Sequence, residues 1–226
     1  LDEMIWKTPL FIRPAKSRLG DEDEIRLAQD LRESLGHMAK KQGGNLEGTP
    51  EQGLAEIVEM PEDIVSPGLL VPQDLTTLLG LIERRRPRTL KHGGMPKGEL
   101  KEAGRFFKAD VDPGYSDFLM LFAEHAGLVK NVANRWTVNF RKVRLLEDRA
   151  KLTNALLDFW KTTDRWNEWA ADRTTASPKK TRTDEMLTLR KEVLLALGKC
   201  PMNHWVAYPQ FYKMLHRISP PFRELA

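Results

Sequence analysis

The sequence predicts a mainly α fold with small β-hairpins, organised as winged-helix-like units plus additional helices. Three observations lead there. Apolar residues recur at i, i+3, i+4 and i+7 in several stretches, as Leu75, Leu78, Leu79 and Ile82 do. Short β-prone runs such as Arg135-Trp136-Thr137-Val138 lie between turn-forming residues. From residue 69 to about 140 the segments follow in the order helix, strand, helix, helix, hairpin, which is the order of a winged helix.

Composition narrows the classes open to the chain. Its 226 residues are 41% apolar and 30% charged, too apolar for a disordered chain and ordinary for a folded one. No apolar run approaches the roughly 20 residues of a membrane span, so no membrane partner is expected. Leu1 to Leu10 include Asp2, Glu3 and Lys7, unlike the apolar centre of a signal peptide. The single Cys200 allows no internal disulfide and suits a reducing, cytoplasmic setting. The chain does not begin with Met, as expected of a piece of a longer protein.

The net charge of +4 conceals a split. Residues 1–68 carry 8 Lys and Arg against 14 Asp and Glu, a net of −6; residues 69–150 carry 15 against 10, and residues 151–226 carry 13 against 8, so each is +5. Together with Pro61, Pro67 and Gly68, this divides the chain into an acidic N-terminal helical segment (1–68), a winged-helix-like domain (69–147) and a C-terminal helical region (148–226).

In the first segment, the acidic cluster Asp21 to Glu24 precedes Ile25, Ala28, Leu31, Leu35 and Met38 at helical spacing, and acids there complement a helix dipole. Thr49-Pro50-Glu51-Gln52 has the form of a capping box, predicting a short helix through Leu54, Ile57 and Val58. In the second, Pro72 and Asp74 start helix one, and Arg88 to Lys91 form a strand between Pro87 and Gly93-Gly94. Pro96 opens helix two with Leu100, Ala103 and Phe107, although Gly98 and Gly104 weaken it. Helix three follows Asp112-Pro113, carries Tyr115, Phe118, Leu119, Phe122 and Ala126 on one face, and ends at Gly127. A hairpin then turns within Asn131 to Asn134.

In the last region Asp148 caps a helix bearing Leu152, Leu156, Phe159 and Trp160. Residues 172–182 form an exposed loop. Thr183 starts a helix ending at Gly198, Trp205-Val206 forms a strand, and Pro209 opens a last helix. This helix, strand, helix order matches the front half of a second winged helix.

The passages PQDLTTLLGLIERRRPRTLKHGGMPKGELKEAGRFF, YSDFLMLFAEHAGLV, the Leu152 to Trp160 helix and LRKEVLLALGKCPMNHWVAYPQFYKML, in that order, resemble the bacterial helicase-associated proteins of the XPB-like helicase family. The likeness spans roughly residues 69 to 218. It implies winged-helix folds and a place beside DNA-processing or transcription machinery, and it transfers no catalytic residue. Residues 1–68 take no part in it.

Chemical motifs are few. A helicase motor needs a loop of the form G-x-x-x-x-G-K-[ST] to cradle triphosphate, and the chain has none. Cys200 and His204 are the only soft ligands close in sequence, whereas a structural zinc site takes four, so no metal and no cofactor is expected. The histidines at 37, 92, 125, 204 and 216 show no nucleophile pattern around them, and no catalytic residue is assigned. Trp160, Trp166 and Trp169 fall among core-type residues, which favours packing over base stacking.

The basic residues are the functional lead. Arg84, Arg85, Arg86, Arg88 and Lys91 follow helix one; Lys97, Lys101, Arg105 and Lys108 run along helix two; Lys130, Arg135, Arg141, Lys142 and Arg144 surround the hairpin. Such groups give sequence-independent, salt-sensitive contacts to phosphate. Helix three, which would enter a major groove, has no Lys or Arg between Asp110 and Phe122 and carries Asp117 and Glu124, a composition that repels phosphate. The expectation is a noncatalytic, helicase-associated protein that contacts nucleic-acid backbone, a helicase or transcription protein, or both. A pure protein-interaction module is the alternative, and an enzyme with a site assembled from distant residues ranks last.

Overall fold

The computed structural model describes residues 11–14, 24–27, 57–58, 64–65, 67–91, 93–108, 113–166, 183–200 and 205–219. These are mainly helical. Helix α1 (Pro67–Arg85) begins with proline at its first position, where the missing N–H costs no helical bond. It starts five residues earlier than expected, so Pro72 lies inside it rather than at its start. Helix α2 (Lys97–Gly104) buries Leu100 and Ala103 and stops before Phe107. A Cβ at Gly104 would come within 3.0 Å of Ser116 Oγ, so the small residue lets α2 approach α3 (Pro113–His125).

Helix α3 ends as its sequence foretold. Gly127 takes a φ of 68°, the Leu128 N–H donates to the Ala123 carbonyl at 2.9 Å, and the Gly127 N–H donates to the Glu124 carbonyl at 3.1 Å. That pair of bonds is a Schellman cap. The hairpin β5 (Val129–Val132) and β6 (Arg135–Val138) follows, then the four-residue helix α4 (Phe140–Val143) and one 3-10 turn, Arg144–Glu147. Helix α5 (Arg149–Thr162) is capped by Asp148, whose Oδ1 accepts from the Lys151 N–H at 3.0 Å. Helices α6 (Thr183–Gly198) and α7 (Tyr208–Ile218) flank strand β7 (Trp205–Ala207).

The core is continuous from α1 to α7. Leu75, Leu78 and Ile82 of α1 meet Phe118, Leu119 and Phe122 of α3; these meet Leu156, Phe159 and Trp160 of α5; Val193 and Leu197 of α6 and Phe211 and Leu215 of α7 close the far side. Trp136, Trp160, Trp166 and Trp205 are all buried, as packing residues should be, while Trp169 and the 172–182 loop lie outside the described residues.

The N-terminal segment departs from its reading. Its described residues form strands: β1 (Phe11–Pro14), β2 (Glu24–Leu27), β3 (Ile57–Val58) and β4 (Ile64–Val65). Before Pro67 no helix occurs among the described residues. The helix expected through Ile25 is therefore a strand where it is described, and 28–38 lies outside the described residues. Glu24-Ile25-Arg26-Leu27 alternates polar and apolar side chains, a period of two that suits a strand once a partner is present. One partner is distant in sequence, Ile25 pairing with Val206 of β7, and the other is near, Leu27 pairing with Phe11 of β1. Likewise Ile57 and Val58, expected in a helix, are β-branched and pair with Val206 and Trp205. The resulting five-stranded sheet has the order β3-β7-β2-β1-β4, so the strand expected at Trp205-Val206 is built into pairing with the first third of the chain.

The strand expected at Arg88 to Lys91 is reduced to a single bridge between Arg88 and Arg135. Pro87 has no N–H for a ladder, and the Gly93-Gly94 turn reverses the chain just beyond.

Candidate nucleic-acid or partner interface

The hairpin is the element that sorts basic side chains onto one surface. Its turn, Ala133-Asn134, has φ of 49° and 60°, the pattern of a type I′ turn, whose twist matches that of paired strands. Register then fixes the faces: Val129 pairs with Val138, Lys130 with Thr137, Asn131 with Trp136 and Val132 with Arg135. Paired residues share a face and successive residues alternate. Val129, Trp136 and Val138 are buried against the core, so Lys130, Val132, Arg135 and Thr137 occupy the outer face. The Arg88 bridge to Arg135 adds Arg88 to that face, with Leu90 two residues beyond.

Local bonds hold this arrangement. Arg86 adopts a φ of 46° at the end of α1, and its carbonyl accepts from Arg135 Nη1 at 2.9 Å. The Trp136 N–H donates to the Pro87 carbonyl at 2.9 Å, and the Thr89 N–H to the Asn134 carbonyl at 3.0 Å. On the core side, Trp136 Nε1 donates to the Gly94 carbonyl at 2.7 Å, and the Gly94 N–H donates to Glu124 Oε2 at 3.2 Å. Arg165, beyond α5, reaches the same carboxylate oxygen at 2.9 Å. Hairpin, glycine turn, α3 and the segment after α5 are thus fastened at one point, giving the outer face a fixed support.

The basic residues singled out from sequence fall into three groups. Arg85 is engaged: it pairs with Glu102 and, at 3.5 Å, with Glu99, both on α2. Its hydrogen bond to Glu102 raises the guanidinium pKa, and the same bond lowers that of the Glu102 carboxyl. Arg86 lies 3.6 Å from Glu83, and Arg84 is exposed beside them. These three ion pairs tie α1 to α2 or link the end of α1 to itself, so the charge of Arg85 and Arg86 is partly answered inside the chain. Lys97, Lys101 and Arg105 form a second group, exposed at successive intervals of four along and just past α2, with Lys108 three residues on. Arg88, Lys130 and Arg135 make up the hairpin face, with Lys91 exposed at the adjoining turn and Arg141, Lys142 and Arg144 exposed after the hairpin.

Helix α3 has a different role from the basic surfaces. Tyr115, Phe118, Leu119, Met120, Phe122 and Ala123 are all at most 5% exposed. Phe118 packs on Phe159 at a centroid distance of 5.4 Å and on Trp166 at 5.0 Å, and Phe122 packs on Phe159 at 5.7 Å. Trp166 Nε1 also donates to the Gly114 carbonyl at 3.3 Å. With α1 and α2 on one side and α5 with Trp166 on the other, α3 leaves open only one stripe, Asp117 and His125 exposed with Leu121 and Glu124 half-buried, whose carboxylates repel phosphate.

Asp74 illustrates a residue whose sequence reading missed its role. With Pro72 it reads as the first turn of a helix, yet it lies inside α1 and is fully buried, accepting from Tyr115 Oη at 3.0 Å and from the Lys108 N–H at 2.6 Å. Sequence reasoning also passed over Phe140, Leu90 and Val132, which are 68%, 48% and 49% exposed. The run Phe140-Arg141-Lys142-Val143-Arg144, an aromatic among cations, was the available signal. Among the described residues no group of three or more His, Cys, Asp and Glu is gathered as a metal site would need, and no helix is long and apolar enough to cross a membrane. Cys200 is buried, with Sγ 3.6 Å from the Ala196 carbonyl; His204 lies outside the described residues.

No protein-family model, curated protein or solved structure matches the chain.

Proposed function

We propose that the chain is a noncatalytic, helicase-associated winged-helix protein that contacts nucleic-acid backbone through the outer face of its hairpin. The winged-helix reading is supported by the order α1, bridging residue Arg88, α2, α3, β5, β6. One observation carries the functional reading: strand register brings Arg88, Lys130 and Arg135 onto one exposed face, supported from behind by Trp136 and Gly94. Cations on a fixed sheet suit phosphate oxygens, which carry no sequence information. The stripe that α3 leaves exposed carries Asp117 and Glu124 and no Lys or Arg, a composition unsuited to reading base edges between phosphates, so binding is independent of sequence.

The second reading, docking on an acidic protein such as a helicase or transcription factor, is favoured by Leu90 and Val132, exposed beside the same cations. Anisotropy titrations with labelled duplex over a salt series from about 50 to 200 mM separate the two. The double variant Arg88→Glu, Lys130→Glu should weaken duplex binding alike for all sequences and make the log-log salt slope shallower by about 2. Absence of binding to both duplex and single-stranded DNA near the lower salt limit would overturn the nucleic-acid reading and leave the protein-docking one.

A further inference from the structure

We infer that Phe140 is a stacking platform for an unpaired base, so that the nucleic acid bound by this surface is single-stranded. The inference rests on the nucleic-acid reading above and adds to it the class of strand. Phe140 opens α4 and is 68% exposed, more than any other large apolar side chain among the described residues. It is held on a firm base. Asn139, its neighbour, donates from its backbone to the Leu128 carbonyl at 2.8 Å and from Nδ2 to the Gly127 carbonyl at 3.0 Å, fixing the start of α4 to the end of α3. Behind it, Val143, Leu145 and Leu146 pack against the core. The backbone that carries the ring is thus fixed, and only the side-chain rotamer remains to be ordered when a base covers it.

The charges around it complement a nucleic-acid strand. Arg141, Lys142 and Arg144 are exposed and form no ion pair with the described residues; the acids beyond them are the exposed Glu147, in the same 3-10 turn as Arg144, and Asp148, which is engaged by Lys151 at 2.6 Å. Lys130 lies on the adjacent hairpin face, one ladder pair away from Val129 and Val138, which lead into Asn139. An exposed aromatic ring with exposed cations on the same and the following turn is the combination that binds single strands: cations follow the phosphates while the ring stacks on a base of any type. In duplex the bases are already stacked on each other, and α3 offers no route to them.

Anisotropy with a labelled 15-nucleotide oligothymidylate and a 15-base-pair duplex, in the full chain at about 50 mM salt, tests this. Phe140→Ala should weaken oligothymidylate binding about tenfold and leave duplex binding and the salt slope unchanged, and Phe140→Trp should restore it. Arg141→Gln with Lys142→Gln should weaken both ligands and flatten the salt dependence. An unchanged thermal melt for Phe140→Ala, expected for so exposed a side chain, keeps folding out of the comparison. Oligothymidylate binding by Phe140→Ala equal to the unsubstituted chain, or an equal loss with duplex, overturns the inference. If the unsubstituted chain binds duplex and not the single strand, this inference falls while the proposed function stands; if it binds neither, both fall.

Discussion

Arg190 on α6 donates from Nη1 to the carbonyl of Trp160 on α5 at 2.7 Å and carries its guanidinium 5.7 Å from the centroid of that residue's ring. The same nitrogen reaches the Thr163 carbonyl at 2.6 Å, and Nη2 reaches the Trp166 carbonyl at 2.7 Å. Helix α5 thus ends on a wholly buried side chain from another helix, which satisfies carbonyls that have no partner within α5. Because Trp166 also packs on Phe118, this contact sets where α5 and its continuation cover α3. The cover over the apolar face of α3 depends on it.

Arg190→Met should therefore be severely destabilising. It keeps most of the apolar stem but leaves three buried carbonyls without that donor, each worth about 1–3 kcal/mol and together not fully additive. A loss of about 3 kcal/mol or more in urea unfolding is expected. Arg190→Lys should recover only part of it, since one ammonium cannot reproduce the planar fork. A loss under about 1 kcal/mol for Arg190→Met would show that α5 ends without help from α6.

Asp74 and Tyr115 give a pH-dependent prediction. Burial first, then the charge and hydrogen bond of Asp74, push the Tyr115 pKa well above its ordinary 10.0. The folded chain then keeps the phenolic proton after the unfolded chain has lost it. This stabilisation is complete below pH 10.0 and is lost as pH rises toward the folded value. Between pH 10.0 and the folded value the group should contribute a decline of about 1.4 kcal/mol per pH unit, read from urea midpoints. Tyr115→Phe should cost about 1.5–3 kcal/mol at neutral pH, for the lost bond to the carboxylate, and should show a shallower alkaline decline. Parallel curves for the two proteins above pH 10 would refute the assignment.

The elements that sequence made legible are those whose determinants are local. Gly127 ends α3 because it alone there takes a positive φ without strain, and Asp148 caps α5 with its own side chain; both could be read from a few neighbouring residues. The strands at Glu24–Leu27 and Ile57–Val58 could not, because both pair with β7, roughly 150 residues or more away, even though Glu24–Leu27 also pairs with the nearby β1, and pairing overrode weak helical periodicity. The candidate surface divides in the same way. Its cations were visible as residue types, but the separation of Arg85, held by Glu102, from Arg88 and Lys130 depends on helix packing and strand register. Burial of α3 was half legible: its missing cations were plain, whereas its cover of Phe159 and Trp166 required the packing of α5.

Gly93 and Gly94 provide a matched comparison for the support behind the hairpin. Both have positive φ, 81° and 77°. A Cβ at Gly94 meets nothing within 4 Å, whereas one at Gly93 would run into Arg165 Nη2 and the Glu124 carboxylate. Gly94→Ala should thus cost only the backbone strain, about 1–2 kcal/mol. Gly93→Ala adds to the same strain a collision with the Glu124–Arg165 pair, so it should cost more than Gly94→Ala by about 1 kcal/mol or more. Moving Arg165 aside also frees the oxygen of Glu124 that accepts from the Gly94 N–H, loosening the turn whose carbonyl holds Trp136. Hydrogen exchange should therefore show faster opening of the Trp136 and Val138 amides in Gly93→Ala than in Gly94→Ala, compared at matched global stability. Equal exchange in the two variants would mean that the hairpin is held by Arg135 and Pro87 alone, and that the pair at Glu124 and Arg165 plays no part in presenting the basic face.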